Sequence, residues 1–218
     1  MSRLVLVILG KQGAGKGTQC DRLAARHGVP HVSTGDILRA AVQAGTPLGR
    51  DVAAVLEAGA LVSDDLVNRL VAERLAAPDA ARGALFDGYP RTLDQARSLD
   101  AQLGDDGVKL CINLDIPTAL VSERLSSRRV CEGCGATYTA ADPDALAELC
   151  QACGGRVVQR ADDRPEAIAA RLALYERDTA PLLDYYAARS LLVRVDGSGT
   201  PDEVTAALQA TLVARGLE

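Results

Sequence analysis

The stretch LVLVILGKQGAGKGT, residues 4–18, decides the fold. Its first six residues are apolar without alternation, the pattern of a parallel strand buried on both faces. The remainder satisfies the spacing Gly-x-x-x-x-Gly-Lys at Gly10, Gly15 and Lys16. Glycines in such a turn let backbone N–H groups point inward around phosphate oxygens, and a helix starting at the turn presents its positive dipole end to the same anion. Lys16 adds a point charge for β- and γ-phosphates. Ser or Thr ordinarily follows that lysine; here Gly17 does, with Thr18 one place later. The competing reading is a glycine-rich turn without a ligand, which the strand before and the helix after argue against.

Outward from this loop, strand and helix patterns alternate. Helical spacing covers residues 18–27, 35–44, 48–58, 63–76, 93–103, 117–127, 165–188 and 201–215, with Pro181 set to kink or divide the long segment. Apolar runs at 29–32, 84–86, 108–114 and 191–195 read as further strands, the second ending at Asp87. Five strands joined by helical crossovers predict an α/β fold: a five-stranded parallel sheet with helices on both faces. Between Arg129 and Arg160 the rhythm stops, and the segment reads as an inserted mini-domain that cannot build its own core.

A chain of 218 residues suits one domain, and 48% hydrophobic content fills a core that, with no Trp and one Phe, must be aliphatic. A net charge of -5 disfavours a general nucleic-acid binder. The early apolar run is too short to span a bilayer and lacks a cleavage region, so a cytoplasmic protein with no membrane partner is expected. In that compartment the pairs Cys131/Cys134 and Cys150/Cys153, fifteen residues apart, favour a four-thiolate zinc site; a disulfide or reactive thiols are the alternatives. Four thiolates leave no open position, so the metal would be structural. Gly135 and Gly154 follow the pairs and permit the turns that aim backbone N–H groups at sulfur. Cys20 and Cys111 read as core thiols. The two histidines, His27 and His31, occupy no recognisable catalytic setting.

In their order and wording these motifs resemble the adenylate kinase family, in its zinc-containing, long-lid form, over nearly the whole chain. Residues 13–19 match its phosphate loop, in which Gly follows Lys, although Gln12 stands where relatives commonly have Pro. The resemblance implies the P-loop nucleoside-monophosphate-kinase fold, with a core of residues 1–32, 63–126 and 164–218, an AMP-binding arm at 33–62 and a zinc lid at 127–163. The implied reaction is magnesium-dependent and reversible, ATP plus AMP giving two ADP. For ATP it implies Gly13, Ala14, Gly15, Lys16, Gly17 and Thr18, Arg124 and Arg128 sharing one helix face, Thr137 and Tyr138 in the lid, and main chain at Gly199. For AMP it implies Thr34, Gly35 and Arg39, main chain at Ala60, Leu61 and Val62, the turn Gly88-Tyr89-Pro90-Arg91 with a cis bond before Pro90, Gln95 on the adenine edge, and Arg160 and Arg171. Lys16, Arg91, Arg128, Arg160 and Arg171 would stabilise the transferring phosphoryl group, and Asp87 would hold magnesium through water. Cys131, Cys134, Cys150 and Cys153 would hold the zinc. A monomer is expected. GTP as donor and a catalytically silent nucleotide-binding module are the rival readings; the intact lysine and arginines argue against the second.

Overall fold

The computed structural model describes residues 3–217. Strand β1, Leu4–Leu9, runs at the centre of a five-stranded sheet. Its neighbours are β3, Gly83–Asp87, and β4, Leu110–Asp115; outside them lie β2, His31–Ser33, and β8, Leu192–Asp196, all parallel, in the order β2-β3-β1-β4-β8. Val5, Val7 and Leu9 enter one apolar cluster with Phe86, Leu99 and Tyr186, while Leu6 and Ile8 enter another with Leu23, Leu110 and Leu208. The unalternating sequence of β1 follows from this, because each face of a central parallel strand meets a covering layer of helices. The first cluster includes side chains of α4 (Asp64–Leu75), α5 (Leu93–Leu103) and α9 (Pro181–Ala187); α1 (Lys16–His27) and α10 (Pro201–Ala214) contribute to the second. Cys20 and Cys111 are buried in these clusters, as expected of core thiols.

The crossover from β2 to β3 carries α2, Thr34–Gln43, and α3, Pro47–Glu57, which pack on each other before α4. Ser33 caps α2 by accepting from Asp36 N, and Thr46 caps α3 by accepting from Gly49 N. After α6, Thr118–Ser127, the chain leaves the core.

There the sequence reading needs correction. Residues 128–158 form a small antiparallel sheet of β5 (Arg128–Cys131), β6 (Thr137–Thr139) and β7 (Val157–Val158), in the order β6-β5-β7, with a short helix α7, Pro143–Leu146. Strands this short and this polar have no hydrophobic period to detect. Their buried residues are Cys131, Cys150 and Val157, so two of three are cysteines. Arg128 therefore opens a strand instead of sharing a helix face with Arg124.

The segment at 165–188 also divides earlier than its proline. Helix α8, Pro165–Leu174, gives way to a wide π-type turn, Tyr175–Thr179, before α9. Pro181 has no N–H to donate and its ring crowds the preceding turn, so the chain widens and Ala180 N reaches back to Tyr175 O at 2.8 Å. Strands β2 and β4 sit slightly further along the chain than their apolar runs suggested, His31–Ser33 instead of 29–32 and Leu110–Asp115 instead of 108–114. No described helix is long and apolar enough to cross a membrane.

Candidate active site

The carboxyl ends of β1, β2 and β3 open on one side, where a parallel sheet gathers ligands. The loop after β1 turns there. Gly10 has φ 145°, and a Cβ on it would lie 2.4 Å from Leu114 O, so only glycine lets the loop leave the strand this close to β4. Gly15 caps α1 in the left-handed conformation with no side-chain bond, leaving the helix's first N–H groups free for an anion. Lys16 Nζ donates to Gly10 O (2.8 Å) and Lys11 O (2.9 Å), so the loop folds round its own ammonium. Burial lowers its pKa to about 8, against the pull of Asp87, and Arg91 and Arg171 push the same way as burial. An anion such as phosphate suits this loop, with its half-buried ammonium beside the free end of α1.

Asp87 ends β3 beside this lysine. Gly17 lies against it: a Cβ there would meet Asp87 Oδ2 at 3.5 Å, an ordinary contact distance. Burial would raise the Asp87 carboxyl, but His31 and Lys16 outweigh it and hold it below the usual range. His31, given no role from sequence, lies with Nδ1 2.7 Å from Asp21 Oδ1 and Nε2 3.8 Å from Asp87 Oδ2. Burial opposes its protonation, yet the two flanking carboxylates hold its pKa above the ordinary value. An isolated histidine code in a short strand gives no hint of carboxylates brought up by neighbouring elements.

A cleft beside the loop is lined by residues from α2, the end of α3 and the turn after β3, including Thr34, Gly35, Arg39, Gly59, Ala60, Leu61, Val62, Gly88, Arg91, Gln95 and Arg171. The structure thus brings together most of the residues assigned to the acceptor nucleotide. Thr34 Oγ1 donates to Gly88 O at 2.9 Å, tying α2 to the turn. The Tyr89-Pro90 bond is cis. Tyr89 is fully buried, and its hydroxyl donates towards Asn68 Oδ1 at 2.8 Å and lies 3.1 Å from Gln95 O. Arg39 pairs with Asp36, and Arg91 Nε donates to Gly88 O at 2.8 Å. Arg91 makes no ion pair among the described residues. Burial lowers the pKa of both guanidiniums, and each is lowered further by Arg160.

Across the cleft two acidic residues, absent from the sequence reading, organise the remaining arginines. Asp163, fully buried, takes a two-pronged bond from Arg128 at 2.8 and 2.5 Å. Asp162 takes the same from Arg160 at 2.8 and 2.5 Å, and Arg171 reaches both carboxylates at 3.1 and 3.5 Å. Burial would raise the Asp162 carboxyl, but Arg160 and Arg171 hold it at about 2, while burial takes Arg171 to about 10. The signal was available as Asp-Asp beside Arg160, but adjacent acids in a loop ordinarily read as solvated surface. Arg124 stands apart from this group. It donates to Gly13 O (3.3 Å), Gly197 O (3.0 Å) and Ser198 O (3.0 Å), bracing the phosphate loop against the turn before α10 that carries Gly199.

The four paired cysteines converge, every Sγ lying within 4.8 Å of the others. Cys131 and Cys153 are 3.4 Å apart and Cys134 and Cys150 3.7 Å, too long for disulfides near 2.05 Å. A tetrahedron of zinc–sulfur bonds of about 2.3 Å has edges of about 3.8 Å, so the cluster fits zinc. The N–H groups aimed at sulfur come from Gly133, to Cys131 Sγ at 3.3 Å, and Gly155, to Cys153 Sγ at 3.4 Å. Gly135 and Gly154, with φ of 75° and 70°, donate to Cys131 O and Cys150 O and close the turns at the two pairs, as expected of them. Tyr138 Oη lies 3.1 Å from Cys150 Sγ, and Thr137 is exposed beside it. On the cleft side, Gln43 at the end of α2 donates to Glu132 O at 2.6 Å, so the first insertion touches the cysteine turn.

Comparison with known proteins agrees with this geometry. A sequence model of the family described as Adenylate kinase matches residues 8–191. The chain is 48% identical over 204 residues to an adenylate kinase of Symbiobacterium thermophilum, covering 92% of this chain and 94% of that protein. It is 45% identical over 210 residues to an adenylate kinase of Carboxydothermus hydrogenoformans, covering 95% and 98%. It is 47% identical over 214 residues to one of Novosphingobium aromaticivorans, covering 96% and 99%. The chain belongs to the adenylate kinase family, in the form whose lid carries a four-cysteine cluster fit for zinc, and it is a phosphotransferase.

Proposed function

We propose that this enzyme transfers the terminal phosphoryl group of magnesium-bound ATP to AMP, reversibly, giving two ADP. The observation that carries this reading is the junction of two sites suited to anions: Lys16 in its loop, and the cleft of Thr34, Arg39 and Arg91, where the buried Arg91 guanidinium makes no ion pair among the described residues. The donor triphosphate lies in the loop over the N-terminus of α1, from Gly13 to Thr18. The AMP phosphate takes forked bonds from Arg39 and Arg91, and its base lies against main chain at 60–62 with Gln95 on its edge. Phosphoryl transfer spreads charge over the equatorial oxygens, so positioning and positive charge matter more than a strong base. Lys16, Arg91, Arg128, Arg160 and Arg171 supply that charge, and Asp162 and Asp163 keep the last three in place.

Asp87, ionised and beside Lys16, is the group fit to hold the water shell of magnesium, which supplies neutralisation of phosphate charge when bound. Cys131, Cys134, Cys150 and Cys153 hold zinc in a structural role. Thr137 and Tyr138 face the donor when the lid, residues 127–163, closes; that closure, together with the arm at 33–62, excludes water as a competing acceptor. The protein works as a cytoplasmic monomer in balancing adenine nucleotides.

The resemblance keeps a second donor open: it puts main chain around Gly197–Gly199 against the donor base, and backbone reads adenine and guanine less strictly than side chains do. A coupled assay with ATP or GTP as donor and AMP, UMP or CMP as acceptor tests both readings. ATP with AMP is expected to be fastest. Equal rates with UMP or CMP overturn the acceptor assignment, and faster turnover with GTP overturns the donor assignment.

A further inference from the structure

Gln95 is a side-chain amide lining the acceptor cleft that is both buried and fully oriented. It is 2% exposed. Its Oε1 accepts from Arg91 N at 2.8 Å, and its Nε2 donates to Asp64 Oδ1 at 2.7 Å. The second oxygen of Asp64 accepts from Thr92 Oγ1 at 2.6 Å, and Thr92 Oγ1 in turn accepts from Gln95 N at 3.2 Å. Asp64 stands in the first turn of α4 and reaches the residues that follow the cis turn.

An amide has an oxygen with two lone pairs and a nitrogen with two hydrogens. In Gln95 one of each is taken, by a donor that cannot accept and, when ionised, by a carboxylate that cannot donate. Turning the amide over would set Oε1 against the Asp64 oxygen and the NH2 group against the N–H of Arg91. Both contacts become repulsive, and both groups are buried, where unpaired polar atoms are costly. One lone pair and one N–H remain, in fixed order. Adenine offers a matching edge, an amino group to donate and a ring nitrogen to accept. Guanine offers the reverse at the same two positions, a carbonyl and a ring N–H.

We propose that Asp64 is a positioning residue for acceptor choice: by fixing the orientation of the Gln95 amide it makes the cleft select a 6-aminopurine monophosphate over a 6-oxopurine one. The proposal rests on the reading that this cleft takes AMP. It adds a rejection mechanism to that reading, because the guanine edge meets like groups that cannot turn away.

The test is steady-state kinetics with ATP as donor and AMP or GMP as acceptor, on the wild type, Asp64→Asn, Asp64→Ala and Gln95→Ala. Asp64→Asn keeps the shape of the side chain and adds an N–H that can face a turned amide oxygen. Its ratio of kcat/KM for GMP over AMP is expected to rise about tenfold, the size of one reoriented hydrogen bond. The change should appear in the KM of the two acceptors, with the KM for ATP within about twofold of wild type, a split that a general loss of structure would not give. Asp64→Ala should move the ratio in the same direction. If Asp64→Asn does not fold, Thr92→Val, which releases the other carboxylate oxygen, should give a smaller rise. An unchanged ratio in the folded Asp64 variants, with Gln95→Ala raising the KM for AMP, overturns the role of Asp64 and leaves the cleft assignment standing. A Gln95→Ala enzyme with unaltered KM for AMP overturns the cleft assignment itself.

Discussion

The sheet and the cysteine insertion solve the same problem by different means. In the sheet, Val5, Leu6, Val7 and Ile8 are all fully buried, and neighbouring strands and helices supply an aliphatic core on both faces. In the insertion the apolar cluster has three buried residues, two of them cysteines of the four-thiolate group, with Ala136, Tyr138 and Ala145 half-buried against them. At about 25 cal/mol per Å² of apolar surface, so small a cluster cannot offset the ordering of some thirty residues. The four-cysteine cluster, fit for zinc, is the feature suited to take the place of a core there. The difference teaches where this enzyme can move. Under the proposed function the element that opens and closes over the nucleotides would be held together locally, by the cysteine cluster, and its apolar cluster is separate from those of the sheet.

Lys16→Met gives the largest expected effect and separates chemistry from stability. It removes the charge at the phosphates, and turnover should fall about a thousandfold or more. The same change removes a buried ammonium that burial already disfavours, so melting should not fall. Turnover within tenfold of wild type contradicts the site. Leu6→Ala, in the centre of β1, should cost about 3–5 kcal/mol, measured by denaturant unfolding, and lower the melting of the whole molecule. A loss below about 1 kcal/mol shows that the sheet is not the stable element.

Cys131→Ser with Cys134→Ser sharpens the contrast from the other side. Zinc can contribute about 10–16 kcal/mol in small peptides, so lid order and melting should both drop. The core should remain folded, and activity at low temperature should survive in part, because Arg128 and Arg160 flank the staple without binding metal. A strong chelator should reproduce the shift in the wild type. No metal in the purified protein, with melting unchanged by chelator, contradicts the four-thiolate reading.

The smallest effect concerns pH. Lys16 is lowered from 10.5 to about 8 in the folded protein. Between those values the unfolded chain holds more protons, so the cost of the buried ammonium is fully present below about pH 8 and is relieved as pH rises towards 10.5. ATP binding restores the charge and must therefore take up a proton in that window. Calorimetry in buffers of different ionisation enthalpy should show uptake near pH 8.5 and affinity falling above it; affinity constant up to pH 10 contradicts the assignment.

The core was legible because its signals are local. The six apolar residues of β1 match its observed bounds, and Gly10, Gly15 and Lys16 sit where their spacing put them. The cysteine cluster was legible for the same reason, two short spacings within one segment. What was missed depends on distant partners. The β5–β7 strands are stabilised around sulfur and have no hydrophobic period. Arg128 was carried along a helix that ends one residue before it. Asp162, Asp163 and His31 acquire their roles only when α8, β5 and β3 bring arginines and carboxylates to them, and no spacing in the chain announces that.

The most direct test of the account follows the phosphoryl group itself. ATP labelled in its γ-phosphoryl group, mixed with unlabelled AMP, magnesium and enzyme, should place the label in the β-phosphoryl group of the ADP derived from AMP. One label should move for each ATP consumed, and inorganic phosphate should stay at background. Label released as inorganic phosphate in step with ATP loss would show water to be the acceptor and contradict a closed, two-site phosphotransferase.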